Sequence, residues 1–416
     1  MTAAAPAAPR LAQLVGTCLS CLAGLAVDGV SRGTTQQPRV APAIEELGPT
    51  FVKLGQALAN RPDIVGSGLA DELRLLQDSM APFDTGEARA IIAEDLGAAA
   101  EPILRALPDR PVAAASIGQV YRVELPDGKL LAVKVQRPLV AAQVAQDLAL
   151  ARGVATWLET LRYPTGRRLL QPEIVASCDE FFSRLAEELD YAHERDNLLK
   201  FAALYGPGGP AARSLRRRGG GEVVTPVAVP ALCSRRVLAM SWIEGEPLLR
   251  RGSATLPRSE LPLVEFGLRC TLSQLLDTGV MHADPHAGNL LRLPALARPH
   301  PEGPLRRVRR LLRPWPLRGP RGAGITAATS MPPAVPRLAY LDFGLVSEVP
   351  LQVREALVCA VAQLVFARDL RAVAALFGEL MLLPPDKLET PEQREQLAAA
   401  LERAASRVLR YGDEGE

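Results

Sequence analysis

Cysteine is scarce in this 416-residue sequence: six, at positions 18, 21, 178, 233, 270 and 359, too few and too widely spaced for a disulfide framework. A reducing compartment is the default expectation. Only Cys18 and Cys21 lie close together, and without a second such pair or a neighbouring histidine they make no zinc or redox motif. Charge imbalance is missing too. The 48 Lys and Arg against 46 Asp and Glu leave a net charge of +2, so no whole-protein attraction to nucleic acid or to an anionic membrane follows, and nucleic acid is not an expected partner. Long apolar runs are also absent. The one candidate, 11–27 (LAQLVGTCLSCLAGLAV), falls short of the about 20 residues that span a bilayer. It meets Asp28 and Arg32 without a cleavage pattern, so it reads as a buried or amphipathic helix rather than a signal peptide.

What is present is an ordinary globular balance, 48% hydrophobic and 23% charged, with length enough for one large bilobal unit or two domains. Residues 1–44 are rich in Ala, Pro and Thr and read as a variable leader, whose acid-free start is compatible with an organelle transit peptide. From Glu45 to about Leu107 apolar residues recur at three and four positions, the mark of a small helical domain. VYRVEL and LLAVKV then read as two strands joined at Pro126, Asp127 and Gly128, a β-hairpin. Helical patterning returns over 140–161 and 173–204. GPGGPAARSLRRRGGGE follows as an expected exposed loop, then strand-like VVTPVAVP and RRVLAMSWI. The second half, from Leu261, is mainly helical, interrupted at 293–336 by a Pro- and Arg-rich insertion that is not expected to pack a core.

Four segments carry chemistry. In GVMHADPHAGNLL, Asp284 and Asn289 stand five residues apart across a turn bracketed by Pro285 and Gly288. A kinase catalytic loop has this spacing, its Asp orienting the acceptor and its Asn holding magnesium. Leu341 leads into Asp342, Phe343 and Gly344, a DFG whose carboxylate can bridge magnesium to ATP phosphates. Ala132, Val133, Lys134 and Val135 place a lysine where the kinase VAIK strand grips the α and β phosphates, with strand alternation setting Lys134 opposite its valine neighbours. Such a lysine needs a carboxylate, and of those on AEELDYAHERDNLLKF, Glu194 is the chosen partner. Each segment alone has a bland reading: a solvated strand lysine, an acidic helix face, a chance tripeptide. Their order along one chain makes the set specific.

These residues resemble the UbiB or aarF family of atypical kinases, from about Glu45 to about Pro385. LGPTFVKLGQALANRPDIV resembles the family's KxGQ signature, with Lys53 and Gln56 on one helix face. AAASIGQVY resembles its Ala-rich replacement for a glycine loop. EELDYAHE resembles its ExD motif, giving Glu188 and Asp190. The resemblance implies an α+β, bilobal protein kinase-like fold: a KxGQ helical extension (45–112) over the active-site cleft, an N-lobe with the ExD helix (113–243), and a helical C-lobe (244–416). It further implies Mg2+ with ATP or ADP. The nucleotide site would comprise Ala113, Ala114, Ala115, Ser116, Val120 and Lys134, with Met240 as gatekeeper and the main chain of Ser241, Trp242 and Ile243 meeting adenine. Asp284, Lys134 and Glu194 would be catalytic, Asn289 and Asp342 metal ligands, and Lys53, Gln56, Glu188 and Asp190 would gate the cleft. Exchanging glycine for Ala113 to Ala115 removes positive-φ freedom from the loop and alters how phosphates are held.

The expected activity is an atypical kinase or ATPase supporting isoprenoid quinone or prenyl-lipid metabolism, with a small-molecule or prenyl-lipid substrate and a peripheral membrane contact. The expected location is the chloroplast, with the mitochondrion as alternative. Two other classes remain open. One is a non-catalytic nucleotide-binding scaffold regulating a prenyl-lipid biosynthetic complex, against which stands the presence of all five core polar residues. The other is a metal-dependent hydrolase built on His282, Asp284 and His286, which leaves the remaining motifs unexplained. The arginines of 305–321, with Trp315 among them, read as a solvated loop or as a contact for anionic lipid or RNA.

Overall fold

The computed structural model describes residues 10–14, 16, 40–77, 80–161, 174–218, 220–248, 260–296, 335–382 and 390–408. Cys18, Cys21, most of the apolar run 11–27 and nearly all of the expected insertion, Trp315 included, lie outside them. In chain order the main elements are α1 (Val40–Leu47), α2 (Pro49–Ala59), α3 (Pro62–Val65), α4 (Ser67–Leu73), α5 (Thr85–Leu96), α6 (Glu101–Ala106), β1 (Ala113–Ala114), β2 (Gly118–Glu124), β3 (Leu130–Gln136), α7 (Val140–Thr160), α8 (Ile174–Glu188), α9 (Tyr191–Tyr205) and α10 (Pro210–Arg217). There follow β4 (Glu222–Val224), β5 (Val237–Ser241), β6 (Glu246–Pro247), α11 (Leu261–Ser273), β7 (Val280–His282), β8 (Leu290–Leu296), β9 (Val335–Tyr340), β10 (Val346–Glu348), α12 (Leu351–Ala362), α13 (Leu370–Ala375) and α14 (Pro391–Val408). Two compact units result: Met1–Lys200 with Pro226–Ile243 and Asp342–Leu345, and Phe201–Thr225 with Glu244–Leu341 and Val346–Glu416.

The first unit is built on an antiparallel sheet in the order β1-β2-β3-β5. The hairpin joining β2 to β3 turns at Gly128, whose φ of 79° suits a residue without Cβ, and the Asp127 carboxylate accepts the Lys129 N–H at 3.1 Å. Both faces of β3 are covered. Val133 and Val135 join Tyr121, Val123, Val237 and Ala239 under Ile91 and Ile92 of α5 and Ile103 of α6. Helix α5 starts where it does because Asp84 caps it, accepting the Glu87 N–H at 3.2 Å, and it ends at Gly97. Lys134 leaves β3 on the other face.

Helices α1, α2 and α4 close a smaller core of Ala41, Val52, Ala59, Leu73 and Leu76. Gly55, the glycine of the KxGQ segment, packs close there: a Cβ would lie 2.5 Å from a methyl of Leu76, so a larger residue would make Leu76 repack. Arg10 sits in a helical stretch and is buried, donating from Nε to Asp147 of α7 at 2.7 Å and from NH2 to the Leu47 carbonyl at 2.6 Å.

The second unit holds a sheet ordered β4-β9-β8-β6, with β4 parallel to β9 and the rest antiparallel, and a separate β7–β10 pair. Helix α11 buries Leu263, Phe266 and Cys270, then opens into a π turn, Gln274–Thr278. Gln274 is buried and ties three parts together, its amide meeting the Cys270 sulfur at 3.3 Å, the Tyr340 hydroxyl at 3.3 Å and the His282 N–H at 2.9 Å.

Two expectations change here. GPGGPAARSLRRRGGGE is not all loop: Pro210 at the first helical position starts α10, and Ala211, Ala212 and Leu215 form its buried stripe. The expected insertion also begins late and ends early, because 293–296 belong to β8 and 335–336 to β9, which pair with each other. No helix among the described residues is long and apolar enough to cross a membrane.

Candidate active-site residues

In the first unit one ammonium stands between two carboxylates. The β3 register sets Lys134 against Val120 on one side and Leu238 on the other, and its Nζ reaches Glu194 of α9 at 2.8 and 3.0 Å and Asp342 at 3.1 Å. The Lys134 and Glu194 side chains are 10% and 3% exposed, whereas Asp342 keeps 40% of its side chain open. Burial works against the charged lysine, but the two carboxylates outweigh it and hold Lys134 protonated. Between the carboxylates the effects diverge. Burial, reinforced by the Asp342 charge, pushes Glu194 up to about 7 despite its contact with Lys134. Desolvation also opposes ionisation of Asp342, yet Lys134, the Gly344 N–H and Lys53 pull it well below the usual carboxylate range. Solvent access to Asp342 weakens the opposing effect, so the downward direction stands. The three groups titrate as one coupled set, with Asp342 ionised first.

Helix α9 supports this set from a single face. Glu194 Oε1 lies 3.5 Å from the Phe343 N–H, and Asn197, three residues on, donates to the Phe343 carbonyl at 3.0 Å. The Gly344 N–H returns to Asp342 Oδ1 at 2.9 Å, so Asp342 is fixed by its own turn as well as by Lys134. Tyr191, three residues before Glu194, lays its ring 4.9 Å from the Lys134 ammonium. Its hydroxyl is buried without a partner among the described residues and fills the space where Gly118 lacks a side chain.

The Ala-rich loop is a tight turn. Ala113 and Ala114 pair with Val120 and Gln119, the Ala115 N–H donates to the Gly118 carbonyl at 2.7 Å, and Arg137 donates to the Ala115 and Ser116 carbonyls, both at 3.2 Å. None of residues 113–118 has positive φ, as the alanines require. Ser116 is buried and Val120 half-buried. At the expected hinge, Met240 is buried opposite Ala132. The main-chain expectation narrows here: the Ser241 N–H already donates to the Val227 carbonyl and the Trp242 N–H to the Leu130 carbonyl, both at 2.9 Å, so of the three N–H groups only that of Ile243 stays a candidate for adenine.

The four residues expected to gate divide. Lys53 of α2 meets Glu188 at the end of α8 at 2.5 Å, so KxGQ and ExD touch through these two. Gln56 instead donates to the Leu76 carbonyl at 2.8 Å inside the small helical core. Asp190 caps α9, accepting the Ala192 N–H at 3.0 Å, and lies 3.7 Å from Arg235.

In the second unit Asp284 and Asn289 face each other across their turn. The Asn289 side-chain amide donates to the Asp284 carbonyl at 3.1 Å, and the Asp284 N–H meets Nδ1 of His282 at 3.3 Å. His282 is 2% exposed, packed beside Phe201 and Tyr340. The hydrolase alternative would need His282 as a metal ligand, whereas here it is buried and its Nδ1 accepts the Asp284 N–H; among the described residues no group of three or more His, Cys, Asp or Glu is arranged to hold a metal. Sequence reasoning missed Arg137, which no motif marks, and Tyr191, whose three-residue spacing from Glu194 was available.

The ABC1 atypical kinase-like domain matches residues 75–377, which excludes Lys53 and Gln56. An aarF domain-containing protein kinase of Arabidopsis thaliana, named as chloroplastic, is 34% identical over 97% of this chain and 50% of its own length. A second Arabidopsis chloroplastic protein, activity of BC1 complex kinase 3, is 35% identical over 83% of this chain and 41% of its own. The chain thus spans about half the length, or less, of the curated relatives it matches. A solved structure from Mycobacterium tuberculosis, a complex with erythromycin, is 22% identical with a TM-score of 0.45 over 78% of this chain and 66% of that one, too distant to support more than the family match does. The fold is α+β and protein kinase-like, and the chain belongs to the ABC1, or aarF-type, family of atypical kinases.

Proposed function

We propose that the protein uses Mg-ATP as a phosphotransferase or ATPase, acting on a small-molecule or prenyl-lipid acceptor in support of isoprenoid quinone metabolism in the plastid. One observation carries the catalytic part: a buried Lys134–Glu194 pair shared with Asp342, the arrangement phosphoryl transfer from ATP needs in place. The plastid rests on kinship with chloroplastic relatives, and the lipid substrate on the resemblance to the UbiB or aarF family.

Each unit holds one oxygen donor of a kind magnesium takes. In the first, Asp342 offers a part-exposed carboxylate with a depressed pKa, and in the second, Asn289, whose NH2 serves Asp284, keeps its amide oxygen as an acceptor. Magnesium bound with ATP would neutralise charge on the phosphates. Lys134 would hold phosphate oxygens, Glu194 would keep Lys134 in place, and Asp284 would orient the acceptor and take its proton.

The test is transfer or release of the labelled γ-phosphate of ATP by the wild type and Asp284→Asn. A loss of about 100-fold in the variant, with nucleotide binding kept, supports catalysis. A wild type that binds Mg-ATP but releases no γ-phosphate above background would favour a nucleotide-binding scaffold instead.

A further inference from the structure

We infer that His286 is a positioning residue for Asp284, presenting an Nε2–H whose tautomer the backbone fixes. The inference rests on the reading of Asp284 as the group that receives the acceptor's proton.

The Gly288 N–H donates to His286 Nδ1 at 3.0 Å. A nitrogen that accepts carries no proton, which leaves the ring hydrogen on Nε2. That nitrogen lies 3.6 Å from Asp284 Oδ2, and within 4.0 Å of this carboxylate it is the one side-chain nitrogen of Lys, Arg or His among the described residues. The separation exceeds a hydrogen bond, and contacts of this kind in ligand-free active sites tighten when substrate binds.

The main chain of Asp284 is already held at both ends, its N–H by His282 and its carbonyl by Asn289. Rotation of the carboxylate is the freedom left, and His286 restrains it. A base oriented by a third group is the logic of nucleophile-activating triads. In the transfer itself the acceptor oxygen bonds to the γ-phosphorus and its proton passes to Asp284. The bond to the β,γ-bridging oxygen breaks with its electron pair, releasing ADP, and His286 neither gains nor loses a proton.

His286→Asn separates the two duties, because an Asn oxygen can still accept the Gly288 N–H while the Nε2–H is gone. Expected is a fall in kcat for Mg-ATP turnover of about 10-fold to 100-fold with KM for ATP unchanged. His286→Gln, with an amide N–H near the lost position, should recover part of it, and in the Asp284→Asn background His286→Asn should cost nothing further. An unchanged kcat, or an equal loss in both backgrounds, overturns the inference. A second readout needs no turnover. The chain has four histidines, so 15N-histidine NMR of the full chain identifies His286 by the signal that His286→Asn removes. An Nε2–H tautomer whose Nε2 resonance moves in Asp284→Asn supports the inference, and an Nδ1–H tautomer or an unmoved resonance overturns it. If the wild type shows no turnover while this NMR result holds, the failure belongs to the catalytic reading and not to the contact.

Discussion

Lys134 carries one positive charge for two carboxylates, and the consequence is a pH signature. Glu194, at about 7 in the fold against 4.5 for the free side chain, keeps a proton between those values that the unfolded chain has released. Its contribution is therefore fully present below about 4.5 and is lost as pH rises through 7, so stability falls across that window. Asp342 acts oppositely: its depressed pKa gives stability that is present above the 3.8 of the free carboxyl and lost as pH falls further. Denaturant melts at pH 5 and 7.5 should show the wild type less stable at the higher value and Glu194→Gln with the difference reduced; an undiminished difference would assign it elsewhere. Tyr191 gives a second prediction. Tyr191→Phe keeps the ring over Lys134 and removes a buried, unpaired hydroxyl, so it should stabilise by about 1 kcal/mol. Tyr191→Leu loses the ring and should cost about 2 kcal/mol. Calorimetric unfolding of both variants decides, and destabilisation by Phe would mean that the hydroxyl has a partner. Lys134, Glu194 and Asp342 were legible because charged residues in strand, helix and DFG contexts have few uses together. Tyr191 was not, because an aromatic on a helix reads first as core.

Strand β2 begins at Gly118, and an alanine there would overlap the Tyr191 hydroxyl and stand 2.6 Å from the Val135 carbonyl oxygen. Since the carbonyl belongs to the paired strand β3 it cannot yield, and Gly118→Ala should cost about 2 kcal/mol in chemical denaturation. Little change would show that the turn shifts freely. Helix α7 makes a comparable demand. Asp147 is fully buried against Arg10, so Arg10→Ala leaves a buried charge unpaired and should cost about 3 kcal/mol by the same measurement. The β2–β3 hairpin was readable from its Pro-Asp-Gly turn and alternating strands. Helix α10 was hidden, because a short buried stripe of Ala211, Ala212 and Leu215 is masked by the arginines and glycines around it. The anchoring of Arg10 to Asp147 was hidden for a different reason: its partner is 137 residues away, and periodicity reports nothing about such pairs.

For the whole molecule, the two compact units divide the polar residues, with Lys134, Glu194 and Asp342 in the first and Asp284 and Asn289 in the second. Motif order therefore revealed more than either unit does alone, since it links residues through a known chemistry. Hinge hydrogen bonding was less legible, because whether the N–H groups of Ser241 and Trp242 are free depends on Val227 and Leu130, which only the folded chain brings near. The central claim is that Asp342 and Lys134 form a magnesium-nucleotide site. Its most direct test is thermal unfolding of the full chain with and without Mg-ADP, for the wild type and Asp342→Asn. At about 100 times the dissociation constant, Mg-ADP should stabilise the wild type by roughly 2.7 kcal/mol, depend on magnesium, and lose that effect in the variant. A well-folded wild type that Mg-ADP does not stabilise, or a variant stabilised equally, would contradict the account.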